Sequence, residues 1–255
     1  MAPPEIRMVV NLNFINMIRI NIILLWTAAL LLAGCTKKPA ATIGKDAILE
    51  VSRTADFTVN GNGDNPAWDS AQWVTVPRQD SSGVMYQTQA KLLYSEKGIY
   101  VLFRCEDYKI SASLRQDNAD LYLEDVAEIF FWTSEEYPIY FEYEISPLNY
   151  ELVLMVPNFE GRFLGWIPWH YSGKRTTEHA TSIQTNEGGV SGWTAEVFIP
   201  FELLKPLRNV PPTTGTEWRM NMYRIDYDYG SAEWAWQPVH ETFHDFRNFG
   251  TIRFR

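Results

Sequence analysis

Phe141-Glu142-Tyr143-Glu144-Ile145 is the stretch on which the fold class turns. Its apolar side chains take every second position and two carboxylates take the others, the period of an extended strand with unlike faces and not of a helix. The expectation is a half-solvated strand on which Glu142 and Glu144 share a wet face. Similar segments recur at 90–94, 99–105, 126–132, 139–145, 150–156, 193–199 and 217–225, short runs of β-branched and aromatic residues broken by Gly, Pro, Asn and Asp. Residues 99–103 are apolar on both faces and belong in a central strand. Glu96-Lys97-Gly98 reads as a tight hairpin connection, with glycine free to take positive φ. The one convincing helical turn is Pro200-Phe201-Glu202-Leu203-Leu204, closed by Pro206. Strands do not alternate with helices, which disfavours doubly wound and barrel α/β folds. The expected class is all-β, an antiparallel, jelly-roll-like β-sandwich with few short helical turns.

Composition narrows function. The chain has 255 residues, is 46% hydrophobic, and carries 31 acidic and 22 basic side chains for a net charge of -9. That profile suits a folded protein and excludes disorder as its main state. The negative charge, with no basic run interleaved with aromatics, argues against nucleic acid as a partner. Aromatic residues make up 15% of the chain, ten of them Trp. This exceeds the usual needs of one core, so some are expected to stack on a ligand.

At the N-terminus, Arg19 precedes an apolar run from Ile20 to Ala33, interrupted by Asn21 and Thr27 and ending in Leu32-Ala33-Gly34-Cys35. A basic start, a short apolar stretch and small residues before a cysteine are the marks of a bacterial lipoprotein signal. About 14 apolar residues are too few to cross a hydrocarbon core of ~30 Å comfortably. The expected organisation is a signal peptide over 1–34, a lipidated Cys35 with a tether over 35–45, and one domain over 46–255, with Met17 as an alternative start. The exported part would then be anchored to the cell envelope, on the periplasmic side or at the cell surface. Removing 1–34 leaves 20 basic and 30 acidic residues, a net charge of -10. Cys105, within an apolar strand and without an intrachain partner once Cys35 is lipidated, reads as a buried structural thiol.

Among catalytic patterns, His240-Glu241-Thr242-Phe243-His244 matches H-E-x-x-H. Zinc chemistry needs both histidines on one helical face and a third ligand, whereas this segment follows Gln237-Pro238 and has the composition of a turn. No G-x-S-x-G elbow or phosphate-binding glycine loop occurs. Glu142 and Glu144, or Glu124, Asp125 and Glu128, offer carboxylate pairs, but a glycosidase needs two facing one cleft at a set separation. Glu128 is the exception to the solvated-face reading: flanked by Val126-Ala127 and Ile129-Phe130-Phe131, it needs either a wet face or a partner. Asn221 sits among large apolar neighbours in 218–226, and Trp234-Ala235-Trp236 puts two indoles on one face of an extended segment, as core or as ligand contacts.

An ordered series of segments resembles the family 9 carbohydrate-binding modules. It comprises Asn65-Pro66-Ala67-Trp68, Ala90-Lys91-Leu92-Leu93-Tyr94 with Ile99-Tyr100-Val101, and Leu121-Tyr122-Leu123-Glu124-Asp125-Val126-Ala127-Glu128-Ile129-Phe130. It continues with Tyr140-Phe141-Glu142, 192–201, Trp218-Arg219-Met220-Asn221 with Tyr223-Arg224, and Phe243-His244 with Phe249-Gly250-Thr251-Ile252. The order over roughly 55–255 carries the likeness, no single piece of it. The resemblance implies a β-sandwich that holds a sugar between two aromatic rings with polar groups around the rim. Its aromatic and the acid six residues later fall on Tyr122 and Glu128, and its second aromatic on Trp236, with Trp234 beside it. Asn221 and Arg224 would supply hydrogen bonds to hydroxyls. Relatives commonly carry Trp where this chain has Tyr122, which leaves the sugar open. The family's calcium sites are structural, with Asp64 and Asp107 as candidate ligands here; no other cofactor is implied. Residues 159–171, with Trp166, Trp169 and Tyr171, either extend the binding surface or cover one sheet.

The leading expectation is thus a non-catalytic, membrane-anchored protein that binds oligo- or polysaccharide and supports its capture or catabolism beside envelope glycan-degrading proteins. Two rivals are a glycoside hydrolase, or accessory part of one, using Glu128, and a haem-binding redox module. The latter would use His170, His240, His244 or Met as axial ligands, since no covalent haem attachment motif is present.

Overall fold

The computed structural model describes residues 48–81 and 83–255. The expected signal peptide, lipidated Cys35 and tether lie outside the described residues. Fourteen strands are described: β1 (Ile48–Arg53), β2 (Val74–Thr75), β3 (Thr88–Tyr94), β4 (Gly98–Glu106), β5 (Val126–Trp132), β6 (Ile139–Ile145), β7 (Glu151–Phe159), β8 (Arg162–Phe163), β9 (Ile167–Pro168), β10 (Glu178–Asn186), β11 (Gly189–Pro200), β12 (Glu217–Asp226), β13 (Ala232–Ala235) and β14 (Gly250–Phe254). A single helical turn, α1 (Phe201–Leu204), follows β11.

The strands form two layers. One runs β10-β11-β4-β3-β1, with β2 on β3; the other runs β1-β14-β12-β5-β6-β7, with β8 and β9 on β7 and β13 on β12. β1 passes between the layers, pairing in parallel with β14 through Ile48–Val51 and with β3 through Ser52 and Arg53. The remaining strand pairs are antiparallel, as the strand-rich pattern predicts. β4 is central, between β11 and β3, which explains why its residues are apolar on both faces. Ile99, Val101 and Phe103 enter the inter-layer core, while Tyr100 and Leu102 pack outward against Val59, Trp68 and Leu93. The Asn65-Pro66-Ala67-Trp68 segment is thereby fixed: Asn65 caps its turn, and the Trp68 indole N–H donates to buried Glu196 at 2.6 Å. Gly98 cannot be larger, because a Cβ there would lie 2.3 Å from the Ile199 carbonyl.

The inter-layer core draws on alternate residues of every long strand except β10. It contains Ala127, Ile129 and Phe131 of β5, Phe141, Tyr143 and Ile145 of β6, and Trp218, Met220 and Met222 of β12. The other side chains of β5, β6, β7 and β12 therefore project from the outer face of the second layer. The centre of that face is shielded from bulk water. Residues 240–249 lie over it, so that Phe243, Phe246 and Phe249 pack with Phe130, Tyr140 and Tyr223, and Phe163 and Trp166 close the edge. Cys105 is buried as expected, with burial pushing its thiol up to about 12.

A carboxylate-floored aromatic cleft as the candidate site

Strand register builds the site. On the outer face of the second layer, β12, β5 and β6 place Tyr223 opposite Glu128 and Glu128 opposite Glu144, while the next row sets Asn221, Phe130, Glu142 and Leu154 side by side. Glu128, Glu142 and Glu144 consequently meet, each offering an oxygen within 4.8 Å of the others'. Like charges directly opposite on a sheet repel, and here they are also desolvated: the three are 2%, 4% and 1% exposed. This corrects the wet-face expectation for Glu142 and Glu144. Alternation separates two faces but does not say that the polar one meets solvent, and in this fold the covering segment buries it.

Burial, then the charge of Glu142, then that of Glu233 push Glu128 well above the ordinary carboxylate range. Glu144 is raised by burial and by its two neighbours. Glu142 is raised to about 8 by burial, with a hydrogen bond shared with Glu144 opposing the rise. Glu142 Oε2 and Glu144 Oε2 are buried and receive no donor from elsewhere in the protein. Among the described residues, no Lys or Arg forms an ion pair with any of the three; the nearest basic group is His244, whose Nδ1 is 3.9 Å from Glu142 Oε2. His244 is uncharged at neutral pH, since burial pulls it down to about 4. Its Nδ1 lies 2.9 Å from the Tyr140 hydroxyl, the pairing of a neutral imidazole.

Above this floor opens a cleft of about 320 Å³ walled by Tyr122, Phe130, Trp166, Phe243 and His244, with Glu233 and Glu241 at the mouth. The volume is at the small end of ligand sites, which span roughly 300–1,000 Å³. Tyr122 lies on a 3-10 turn, Leu121–Leu123, that leads into β5, and its carbonyl is held by the Tyr227 hydroxyl at 2.8 Å. Its ring and that of Trp166 stand 6.1 Å apart at 63°. Trp166 is nearly parallel to His244, at 19°, and Phe163 stacks on that imidazole with a 4.0 Å centroid separation and lies 5.9 Å from the Trp166 ring. A larger cleft, about 450 Å³, lies by Gln87, Arg104 and Gln184, but no aromatic side chain lines it.

Of the residues read from the sequence, Tyr122 and Glu128 come together at this cleft. Asn221, Arg224, Trp234 and Trp236 do not open onto it. Trp234 and Trp236 are 1% and 3% exposed within the inter-layer core. The guanidiniums of Arg78 and Arg224 each lie 4.8 Å from the centroid of Trp234, and Trp236 packs so closely on Gly250 that a Cβ there would come within 2.4 Å of the indole. The two indoles do share a face, but it is the inner one. The Asn221 amide is fully used: its Nδ2 donates to the Tyr223 hydroxyl and the Gln237 carbonyl, and its Oδ1 accepts from the Gln237 and Met222 amides. Arg224 is buried between Asp107 and Asp226, at 3.1 and 2.7 Å.

The calcium expectation also changes. Asp64 is exposed and accepts from Asn60. Asp107 groups instead with Asp226 and Asp228. All six carboxylate oxygens of that group already accept a hydrogen bond, from Lys109 N and Arg224 on Asp107, from Asp228 N and Arg224 on Asp226, and from Ser111 and Tyr86 on Asp228. With a guanidinium inside and every oxygen occupied by a donor, the set does not fit calcium. Burial still raises Asp107 to about 7. The H-E-x-x-H segment is bend and turn with His240 and Glu241 exposed, so it presents no helical zinc face. His170 is likewise exposed, which leaves the haem-ligand candidates dispersed. Trp166, Phe243, Glu142 and Glu144 also line the cleft, and of these the sequence suggests only Trp166 as part of a binding surface. The aromatic surplus in 159–171 was the available signal for Trp166, whose side chain is 46% exposed, while Trp169 packs against the core.

The model of the carbohydrate family 9 binding domain-like family matches residues 59–255. Among solved structures, a Bacteroides uniformis protein carrying a provisional carbohydrate-binding assignment is similar with a TM-score of 0.67 and 14% identity, over 81% of this chain and 98% of that one. A family 9 carbohydrate-binding module from Caldicellulosiruptor kristjanssonii is similar in its cellotriose complex, with a TM-score of 0.57 and 17% identity over 81% of this chain and 93% of that one. Its glucose complex gives 0.55 and 16% over 81% and 95%. No curated protein matches the chain. The match over 59–255 spans most of the sequence and all but the first strand of the sandwich: the chain belongs to the carbohydrate family 9 binding domain-like family.

Proposed function

We propose that this protein binds carbohydrate non-catalytically in the cleft beneath Tyr122 and Trp166, and that a lipid on Cys35 holds it at the bacterial envelope, where it supports polysaccharide capture and catabolism. The observation that carries the reading is one recess that combines aromatic walls with a carboxylate floor. A sugar ring has apolar C–H faces, which lie against Tyr122 and Trp166, and hydroxyls on its edge, which donate to carboxylates below. The related module's complexes with cellotriose and with glucose support it. Calorimetric titration of the full-length chain with a panel of oligosaccharides tests it. The wild type is expected to bind, and Tyr122→Ala to weaken binding about tenfold, the loss of roughly 1.4 kcal/mol of stacking. Absence of binding by any sugar would overturn it.

The proximity of the three carboxylates gives a hydrolase reading one supporting observation. Against it, burial raises all three, whereas a retaining pair needs one carboxylate kept ionised beside one acid. Release of reducing sugar, lost in Glu128→Gln, is the result that would establish hydrolysis.

A further inference from the structure

We propose that the ring bound in the cleft carries a protonated amine, making the ligand an unacetylated amino sugar or a polymer of such units, with its ammonium seated among Glu128, Glu142 and Glu144. This rests on the carbohydrate reading above and narrows its substrate class. A neutral sugar brings only hydroxyl donors to three buried acids that no Lys or Arg of the described residues neutralises. Glu142 and Glu144 both line the cleft, and their buried Oε2 atoms have no donor from outside the carboxylate trio.

The geometry admits an ammonium. Three oxygens within 4.8 Å of one another leave a point at most about 2.8 Å from each, in reach of the ~2.7–2.9 Å of an N⁺–H···O⁻ bond. Three donors on the amine match three carboxylates. A calcium or magnesium ion demands six or more oxygens at roughly 2.0–2.6 Å, and the walls here are aromatic. Those walls suit a cation as well, because the faces of Tyr122 and Trp166 attract positive charge. Every other ionisable group around the recess agrees: Glu233 and Glu241 add negative charge at the mouth, His244 is neutral, and the Tyr122, Tyr140 and Tyr223 hydroxyls keep their protons. Seating the ammonium draws these carboxyls into their charged form, so binding at neutral pH releases protons.

The test is calorimetric titration of the full-length chain at pH 7 with glucosamine, N-acetylglucosamine, glucose and cellotriose. It is repeated in buffers of different ionisation enthalpy and with EDTA present. Glucosamine is expected to bind at least tenfold more tightly than glucose or the N-acetylated sugar, with net proton release absent for glucose. The ratio is expected to fall towards one in Glu142→Gln/Glu144→Gln. The proton count on the wild type stands whether or not that variant folds. Glucose or cellotriose binding without a glucosamine preference would overturn this inference and leave the carbohydrate reading intact. Binding of none of the four, nor of the wider panel, would overturn both. Loss of glucosamine binding in EDTA would assign the carboxylates to a metal and overturn the amine.

Discussion

Replacing Glu142 by Gln probes the electrostatics of the cleft floor through stability alone. Glu142 is 4% exposed and titrates near 8 in the folded chain, against an ordinary 4.5. Between those values the folded state holds a proton that the unfolded state has lost, so stability falls as pH rises, by about 1.4 kcal/mol per unit for one group. The full contribution is present below 4.5 and is gone above about 8. His244 runs the other way: its folded value near 4 makes stability rise with pH between about 4 and 6.5. The two nearly cancel in that window. Above 6.5 the histidine is neutral in both states and the carboxyl slope is uncompensated, so Glu142 withdraws about 2 kcal/mol between pH 6.5 and 8. Asp107, at about 7, adds a like fall at the lower end of the interval, while Asp125, at about 6, completes its own below it. Both are common to the two proteins and drop out of the comparison; Glu128 and Glu144, which the Glu142 charge raises, do not, and their relief adds to the gain of the variant. The assay is urea or thermal unfolding of the ligand-free full-length chain and Glu142→Gln at pH 6.5 and 8. The variant is expected to gain about 2 kcal/mol on the wild type over that interval, some 4–8 °C in the unfolding midpoint for a domain of this size. A stability difference that does not change with pH would contradict a raised carboxyl, since it would mean that Glu142 ionises in the fold as it does in water.

Three further outcomes follow from the interior. Trp236→Ala is expected to destabilise the fold by about 3–5 kcal/mol, the effect of emptying an aromatic site in a packed core; denaturant unfolding measures it, and a loss below 1 kcal/mol would show that the indole is not core. Arg224→Met leaves Asp107 and Asp226 without their guanidinium and is expected to cost about 3–5 kcal/mol. Adding Asp107→Asn should recover part of that, and no recovery would contradict a buried ion pair as the cause. Cys105 is expected to resist thiol reagents at pH 8 until the protein unfolds, because it is 1% exposed and its thiol is raised to about 12; stoichiometric labelling of the native state would contradict this.

How far the sequence reveals the molecule depends on which question is asked of it. β5 and β6 run over the residues that alternation and β-branched content mark out, because each is long enough to show both faces. β1 and β14, which join in parallel and let β1 pass between the layers, carry no local mark of that pairing, since it links positions some 200 residues apart. The same limit governs the site. Alternation puts Glu142 and Glu144 on one face and Trp234 and Trp236 on another, and both statements hold. What it cannot supply is what lies over each face. The loop at 240–249 and the short β8 and β9 turn an outer sheet surface into a buried floor, while the second layer turns the two indoles into core. Tyr122 and Glu128 were legible through family resemblance because the 3-10 turn and the start of β5 fix their spacing locally. Trp166 and Phe243 reach the cleft from distant loops; local composition marks the first, but no local pattern encodes their meeting over the sheet.

The most direct test of the cleft as the binding site is a crystal structure of the protein with a bound oligosaccharide. A sugar ring is expected against Tyr122 and Trp166 with its polar edge on Glu128, Glu142 and Glu144. Sugar found instead in the recess by Gln87, Arg104 and Gln184, with the aromatic cleft empty, would contradict it.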